Sequence, residues 1–167
     1  AQPVVAPGDT VLKGDVIGEP EGFVSVPIHA PTSGTVVAVG DYPAPHPSGL
    51  AAPTVVIDSD GRDQWTDLDP HPDYHHLDPQ QVRALIRRAG LVGLGGAGFP
   101  SFIKLNPGPQ RPVDTVIING SESEPYLTCD DRLMQESADG ILRGAAVLAY
   151  VVGAQRIQVA VEANKPR

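Results

Sequence analysis

Every β-branched run in the first 58 residues is short and soon meets a turn signal. The runs are Val11, Val16-Ile17, Val24, Val26, Ile28, Val36-Val37, Val39 and Val55-Val56-Ile57. Between them fall Gly8-Asp9, Lys13-Gly14-Asp15, Glu21-Gly22, Pro31-Thr32-Ser33-Gly34 and Ser48-Gly49. Short runs at this spacing are strands, and they predict a small all-β sandwich or barrel. Glycine and proline number 18 each in 167 residues but follow no repeat period, which excludes a collagen-like chain. The hydrophobic share of 41% and the abundance of β-branched residues exclude wholesale disorder.

The pattern changes after residue 58. Asp58-Ser59-Asp60-Gly61 is a turn, and residues up to 77 carry prolines, acids and three histidines with little apolar order. A helix is then announced by Asp78 as cap, Pro79 in the first turn and Gln81 completing a box-like D-x-x-Q. Val82, Leu85, Ile86 and Ala89 share one face, Arg83, Arg87 and Arg88 the other, and Gly90 closes the helix in a left-handed conformation. A short helix is expected over 101–105 and a buried strand over 114–118. A helix follows from about 130 to 152, broken near Gly140, and then a second strand over 156–161. Strand, helix, strand at this spacing is a βαβ unit with parallel strands.

The net charge of −8 repels phosphate backbones and excludes ordinary nucleic-acid binding. No apolar run is long enough to span a bilayer; the longest, 145–152, is far too short. One cysteine, Cys129, cannot build a disulfide framework or a thiolate metal site within the chain, and a packed thiol is its expected state. The start at Ala1-Gln2-Pro3, without Met, and the abrupt end at Lys165-Pro166-Arg167 suggest a piece trimmed at both ends from a longer protein.

Two motifs carry possible chemistry. Gly93, Gly95 and Gly98 satisfy G-x-G-x-x-G, yet the loop follows a helix and soon meets Pro100, whereas a dinucleotide fingerprint follows a strand and opens a long helix. Glycines so dense still let backbone N–H groups approach an anion or a flat ring. Asn119-Gly120-Ser121-Glu122-Ser123-Glu124-Pro125 sits past the carboxyl end of a predicted parallel strand, where open α/β sheets bind ligands. Its amide can pair with a heterocycle edge, and its carboxylates can accept from ribose hydroxyls. A solvated acidic turn is the plainer reading of that stretch.

Gly93 through Ser101, followed by Lys104, resembles the G-x-G-G-A-G-F-P-T…K motif of the flavoprotein subunit of respiratory complex I. Asn119 to Pro125 is similar to that family's N-x-x-E-x-E-P. The run from Glu124 to Met134, the stretch 162–166, and the front segment from Gly8-Asp9 through 31–36 to 46–49 resemble the RnfC family of the Rnf electron-transport complex more closely still. Barrel first and flavoprotein domain second is the RnfC order. Ser121 and Ser123 stand where Ala and Cys are expected in RnfC, although Ser123 matches the complex I version.

The resemblance implies an α+β chain in two units: a barrel-sandwich (lipoyl- and biotinyl-like) domain over 1–60, a linker over 61–77, and over 78–167 the front part of an α/β domain binding FMN and NADH. It implies that Gly93, Gly95, Gly96 and Gly98 lie against flavin and dinucleotide, and that Lys104 offers positive charge to the flavin or its phosphate. Asn119 and Glu122 would contact the flavin side, Phe99 and Glu124 would meet NADH, and Ser123 would be a further cofactor-binding residue. The flavin carries the chemistry, so no side chain is catalytic. The whole protein would pass electrons between NADH, FMN and iron–sulfur clusters in an ion-translocating ferredoxin:NAD oxidoreductase. Its two [4Fe-4S] clusters are expected only in a C-terminal part beyond this chain, so the piece alone would be inactive. The whole protein would lie peripherally on the cytoplasmic face of the inner membrane, without inserting, held by other Rnf subunits and reaching ferredoxin indirectly.

Two other functions stay open: a soluble diaphorase or cobalamin-reductase-like flavoprotein, and a non-catalytic docking module. A lipoyl-type swinging arm is disfavoured. The expected hairpin tip, 19–23, has no lysine, and Lys13 comes too early to serve. His71, His75 and His76 with Asp69 and Asp73 fit no fixed face for a metal and read as a solvated linker. Asp58-x-Asp60-Gly61 lacks the rest of a calcium loop. Trp65 and Tyr74 are expected to pin the linker to a domain, and Tyr126 is a possible wall for a pocket.

Overall fold

The computed structural model describes residues 1–44, 47–94, 97–108 and 110–165. It divides into two compact units, residues 1–73 with 84–103, and residues 74–83 with 104–167.

In the first unit the strands are β1 (Gln2–Pro3), β2 (Thr10–Val11), β3 (Val16–Glu19), β4 (Ile28–His29), β5 (Gly34–Pro43) and β6 (Ala51–Ser59). They form two antiparallel three-stranded sheets, in the orders β1-β3-β4 and β2-β5-β6. Val11, Ile17, Ala30 and Val36 are buried together, with Val5, Val39, Val55 and Ile57 packed against them. Apart from Val5 and Ala30 these come from the β-branched runs of the sequence; Val55 and Ile57 alternate inward as a pleated strand requires, and the register of β5 shifts between Val36 and Ala38. The run around Val24 is an exception. Pro27 offers no N–H for a ladder, and Glu21 N–H goes to Ser25 Oγ at 3.2 Å, so the chain curls there and Val24 is exposed. Pro53 is accepted inside β6 because that strand lies at the sheet's edge.

Gly34 pairs with Ser59 in the β5–β6 register. A Cβ on Gly34 would lie 2.1 Å from the Asp58 carbonyl oxygen, so only glycine lets the two backbones approach this closely. Beyond β6, the chain stays on the barrel. Lys13 N–H bonds to Gln64 O and Thr66 N–H to Lys13 O, each at 2.9 Å, which lays Trp65 alongside Lys13 as an added bridge. Lys13 Nζ pairs with Asp63 at 2.6 Å and sits 4.9 Å over the Trp65 ring. Trp65 pins this stretch as the sequence suggests, and the pairing holds Lys13 down.

Helix α1 (Pro79–Arg88) opens with the expected capping box. Asp78 Oδ1 accepts from Gln80 and Gln81 N–H at 2.8 and 3.0 Å, and Gln81 Oε1 accepts from Asp78 N–H at 2.9 Å. Val82 and Ile86 are buried. Gly90 ends the helix at φ +70, and a side chain there would meet the Pro27 carbonyl oxygen at 2.8 Å. The later part of α1 and the short helix α2 (Ser101–Lys104) are tied to the barrel's exposed Glu21–Val24 bend. Phe102 meets Phe23 edge to face at 5.8 Å, the Arg87 guanidinium covers Phe102 at 4.8 Å, and Arg87 also reaches Gly22 O at 3.4 Å.

The second unit begins with one 3-10 turn, Tyr74–His76. Tyr150 fixes it by donating to Leu77 O at 2.7 Å and by meeting the Tyr74 ring edge to face at 5.4 Å. Tyr74 thus serves as the expected anchor. Strand β7 (Thr115–Asn119), helices α3 (Cys129–Glu136) and α4 (Ala138–Val152) and strand β8 (Arg156–Ala160) follow. β7 and β8 are parallel, in register from Thr115–Arg156 to Asn119–Ala160. This is the predicted βαβ unit.

Two details differ from expectation. The helical break falls at Ser137, not near Gly140, because Ser137 leaves helical geometry (φ −137) and returns its N–H to Leu133 O, while Gly140 sits in the first turn of α4. Strand β7 is only half-covered, with Ile117 exposed, and β8 is exposed along its length, so the predicted buried strand is a two-stranded sheet with an open face.

Candidate functional site

The glycine loop is a clip closed at its base. Val92 and Pro100 form an antiparallel bridge, Gly93 N–H donates to Phe99 O at 2.9 Å, and Ser101 N–H donates to Leu91 O at 3.0 Å. The Gly93 amide is therefore spent within the loop and is not a bare donor. Gly98 has φ +58, and nothing lies within 4 Å of the place a Cβ would take, so one side of the clip is open. Leu94 at the tip is 93% exposed and Phe99 is partly exposed. Gly95 and Gly96 lie outside the described residues. Gly93, Gly98 and Phe99 belong to the first unit, while Lys104, Asn119, Glu122, Ser123 and Glu124 belong to the second. Lys104 closes α2.

Asn119 ends β7 at the carboxyl edge of the parallel pair, and its Oδ1 accepts Ser121 N–H at 3.1 Å, bending the chain sharply off the strand. Gly120 N–H continues the ladder to Ala160 O at 2.8 Å. A Cβ on Gly120 would stand 2.6 Å from Met134 Sδ, so the missing side chain lets α3 close against the turn. Ser123 and Glu124 face solvent. Tyr126, just beyond Pro125, is fully exposed and held at φ +66, a conformation that non-glycine residues seldom adopt.

Glu122 behaves differently. Its side chain is 3% exposed, and both oxygens are engaged: Oε1 accepts Asp130 N–H at 2.9 Å and Oε2 meets Lys165 Nζ at 3.1 Å. Thr128, the N-cap residue of α3, makes no side-chain cap bond, and Glu122 supplies the acceptor in its place. Burial alone would raise the Glu122 carboxyl, but hydrogen bonds from Asp130 N–H and Lys165 outweigh it and hold the group below its ordinary value. Lys165 is raised, first by its hydrogen bond to Glu122 and also by the charges of Asp131 and Glu162. Those two carboxylates lie 3.8 and 3.9 Å from its Nζ.

Lys165 went unmarked in the sequence as a site residue. Its signal was positional: it lies on the loop leaving β8, at the same carboxyl edge as the Asn119 turn, where ligand-binding residues of open sheets gather. A cavity of about 360 Å³ lined by Asp131, Met134, Gln135, Val161 and Lys165 opens beside it. Cys129 is exposed at the start of α3, not packed, because it occupies the helix's first residue on the solvent side. Among the described residues, no group of three or more histidine, cysteine or acidic side chains is placed to hold a metal ion. His71 is 3.6 Å from Asp69, and His75 stacks on Tyr74. No helix among the described residues is long and apolar enough to cross a membrane.

Known proteins match along the whole chain. The family model described as the RnfC barrel sandwich hybrid domain matches residues 1–62, and that of the Nuo51 FMN-binding domain matches residues 86–167. The C subunit of the ion-translocating oxidoreductase complex from Rhodobacter capsulatus is 48% identical over all 167 residues. The chain belongs to the RnfC family. The protein of the same name from Pseudomonas aeruginosa is 48% identical over 99% of the chain, and that from Haemophilus influenzae is 46% identical over 98%. The chain spans 32%, 21% and 25% of the lengths of these three RnfC relatives.

Proposed function

We propose that this chain carries the barrel and the front of the flavin site of an electron-transfer subunit, which binds FMN and NADH within an ion-translocating oxidoreductase complex. The observation that carries the reading is the turn from Asn119 to Pro125. It leaves the carboxyl end of a parallel strand with exposed polar groups, inside the region that matches an FMN-binding family model.

The residues present fit such a ligand. Gly98 leaves open surface where a flat ring can lie, Phe99 offers a partly exposed ring for stacking, and Asn119 and Glu124 offer exposed polar groups. When bound, FMN would supply the link between the two-electron chemistry of NADH and one-electron steps. The chain's part is to bind and orient. Lys104 would balance negative charge on the flavin or its phosphate, and Asn119 and Ser123 would hold the flavin edge. Phe99 and Glu124 would hold the dinucleotide by stacking and by ribose hydrogen bonds. Electron exchange among NADH, flavin, iron–sulfur clusters and ferredoxin, and peripheral attachment at the cytoplasmic face of the membrane, complete the reading for the whole protein.

The test is a titration of FMN and then NADH against the full-length protein, read by flavin fluorescence. Quenching that Lys104→Ala and Glu124→Ala weaken supports the site. Fluorescence unchanged by the intact protein removes it.

A further inference from the structure

We propose that Lys165 is a positioning residue that acts through Glu122 to set the ligand-facing turn 119–125. This rests on the FMN-binding reading above. Three chain segments meet at this pair: the loop leaving β7, which carries Glu122; the loop leaving β8, which carries Lys165; and the first turn of α3, whose Asp130 N–H fills the other oxygen of Glu122. All lie within the second unit.

The arrangement assigns different tasks to the two acids of the motif. Glu122 has no oxygen to spare for a ligand, and its side chain is almost wholly covered, whereas Glu124 faces solvent. Glu122 is an internal tie, and Asn119 and Glu124, on either side of it, are the groups it holds in place. Lys165 is suited to close the tie. It stands among three carboxylates, Glu122, Asp131 and Glu162, so removing its charge leaves a cluster of like charges that repel. The raised Lys165 and lowered Glu122 pKa values agree with a pair that is charged at neutral pH. The backbone supports the same joint: Lys165 N–H returns to Glu162 O at 3.0 Å, and Gly120 N–H bonds to Ala160 O.

The experiment uses the full-length protein and measures FMN affinity by fluorescence titration, together with the visible spectrum of the bound flavin. Lys165→Met should weaken FMN binding by on the order of tenfold to a hundredfold, since small misplacements of binding groups are costly. Lys165→Arg should restore most of the affinity and the wild-type spectrum, which a mere packing role would not predict. Glu122→Gln keeps an acceptor for Asp130 N–H but loses the charge. It should resemble Lys165→Met, and the double variant should lose little more than either single one, as members of one pair do. If Lys165→Met does not fold, Glu122→Gln decides. Wild-type affinity in either folded single variant, or losses that add in the double variant, overturns the role. A wild-type protein that takes up no FMN overturns the parent reading, and this role with it.

Discussion

The Ser33 hydroxyl, fully buried, donates to Asp60 Oδ1 at 2.7 Å and accepts Gln64 N–H at 2.9 Å. One small side chain thus ties the start of β5 to the segment that follows β6. Ser33→Ala removes both bonds and strands the Gln64 N–H. Losing two hydrogen bonds worth about 0.5–1.5 kcal/mol each should make the variant melt measurably lower in the full-length protein. Ser33→Thr or Cys should not recover the loss fully, since no free volume surrounds a fully buried residue.

Gly34→Ala should be harsher. The added methyl would meet backbone, the Asp58 carbonyl, which has no rotamer to change. A clash of this kind forces strand β5 away from β6, and the expected loss is about 3 kcal/mol or more, visible in urea denaturation. Gly120→Ala is the useful contrast. Its nearest clash is with the Met134 side chain, which can move, so a loss of about 1–2 kcal/mol is expected.

Replacing the cap Asp78 by Ala removes acceptors for two N–H groups at the start of α1. The expected cost is about 1 kcal/mol, with Asp78→Asn or Ser close to wild type. Thermal denaturation of the four proteins side by side gives the answer.

Acid should weaken both units. The Asp60 carboxyl is held below its ordinary value first by Arg62 N–H and then by the Ser33 hydroxyl, and Glu122 is lowered as described. A carboxyl lowered in the folded state stabilises above its unfolded pKa, and that contribution fades as pH falls through the folded value. Lys165 has the opposite sense, its contribution fading only as pH rises through its raised folded value. Denaturation midpoints should therefore drop on the acid side of the ordinary carboxylate range. Asp60→Asn and Glu122→Gln should each flatten that acid limb; a slope identical to wild type contradicts the assignment.

Much of this architecture was legible in the residues. The turn-bounded valine runs announced the barrel, Asp78 and Gln81 announced the cap, and the spacing of two apolar strands around a helix announced their parallel pairing. Glu122 was legible as a motif member but not as a buried tie. Its partner lies 43 residues away and becomes a neighbour only through the parallel register of β7 and β8. Val24 misled because its β-branched side chain speaks for a strand, while Pro27 and the Ser25–Glu21 bond decide the backbone. Gly93 was read as an open amide because nothing in a glycine-rich string tells which N–H will find a carbonyl across the loop.

Phe23 and Phe102 are 79 positions apart in the chain, yet their rings touch. During synthesis the last barrel strand, which ends at Ser59, is complete long before Phe102 leaves the ribosome. The ring that covers Phe23 therefore emerges only after every barrel strand and after residues 74–83 of the other unit. Chain order alone thus sets a sequence of emergence: the strand framework first, and the glycine clip and Phe102 after it.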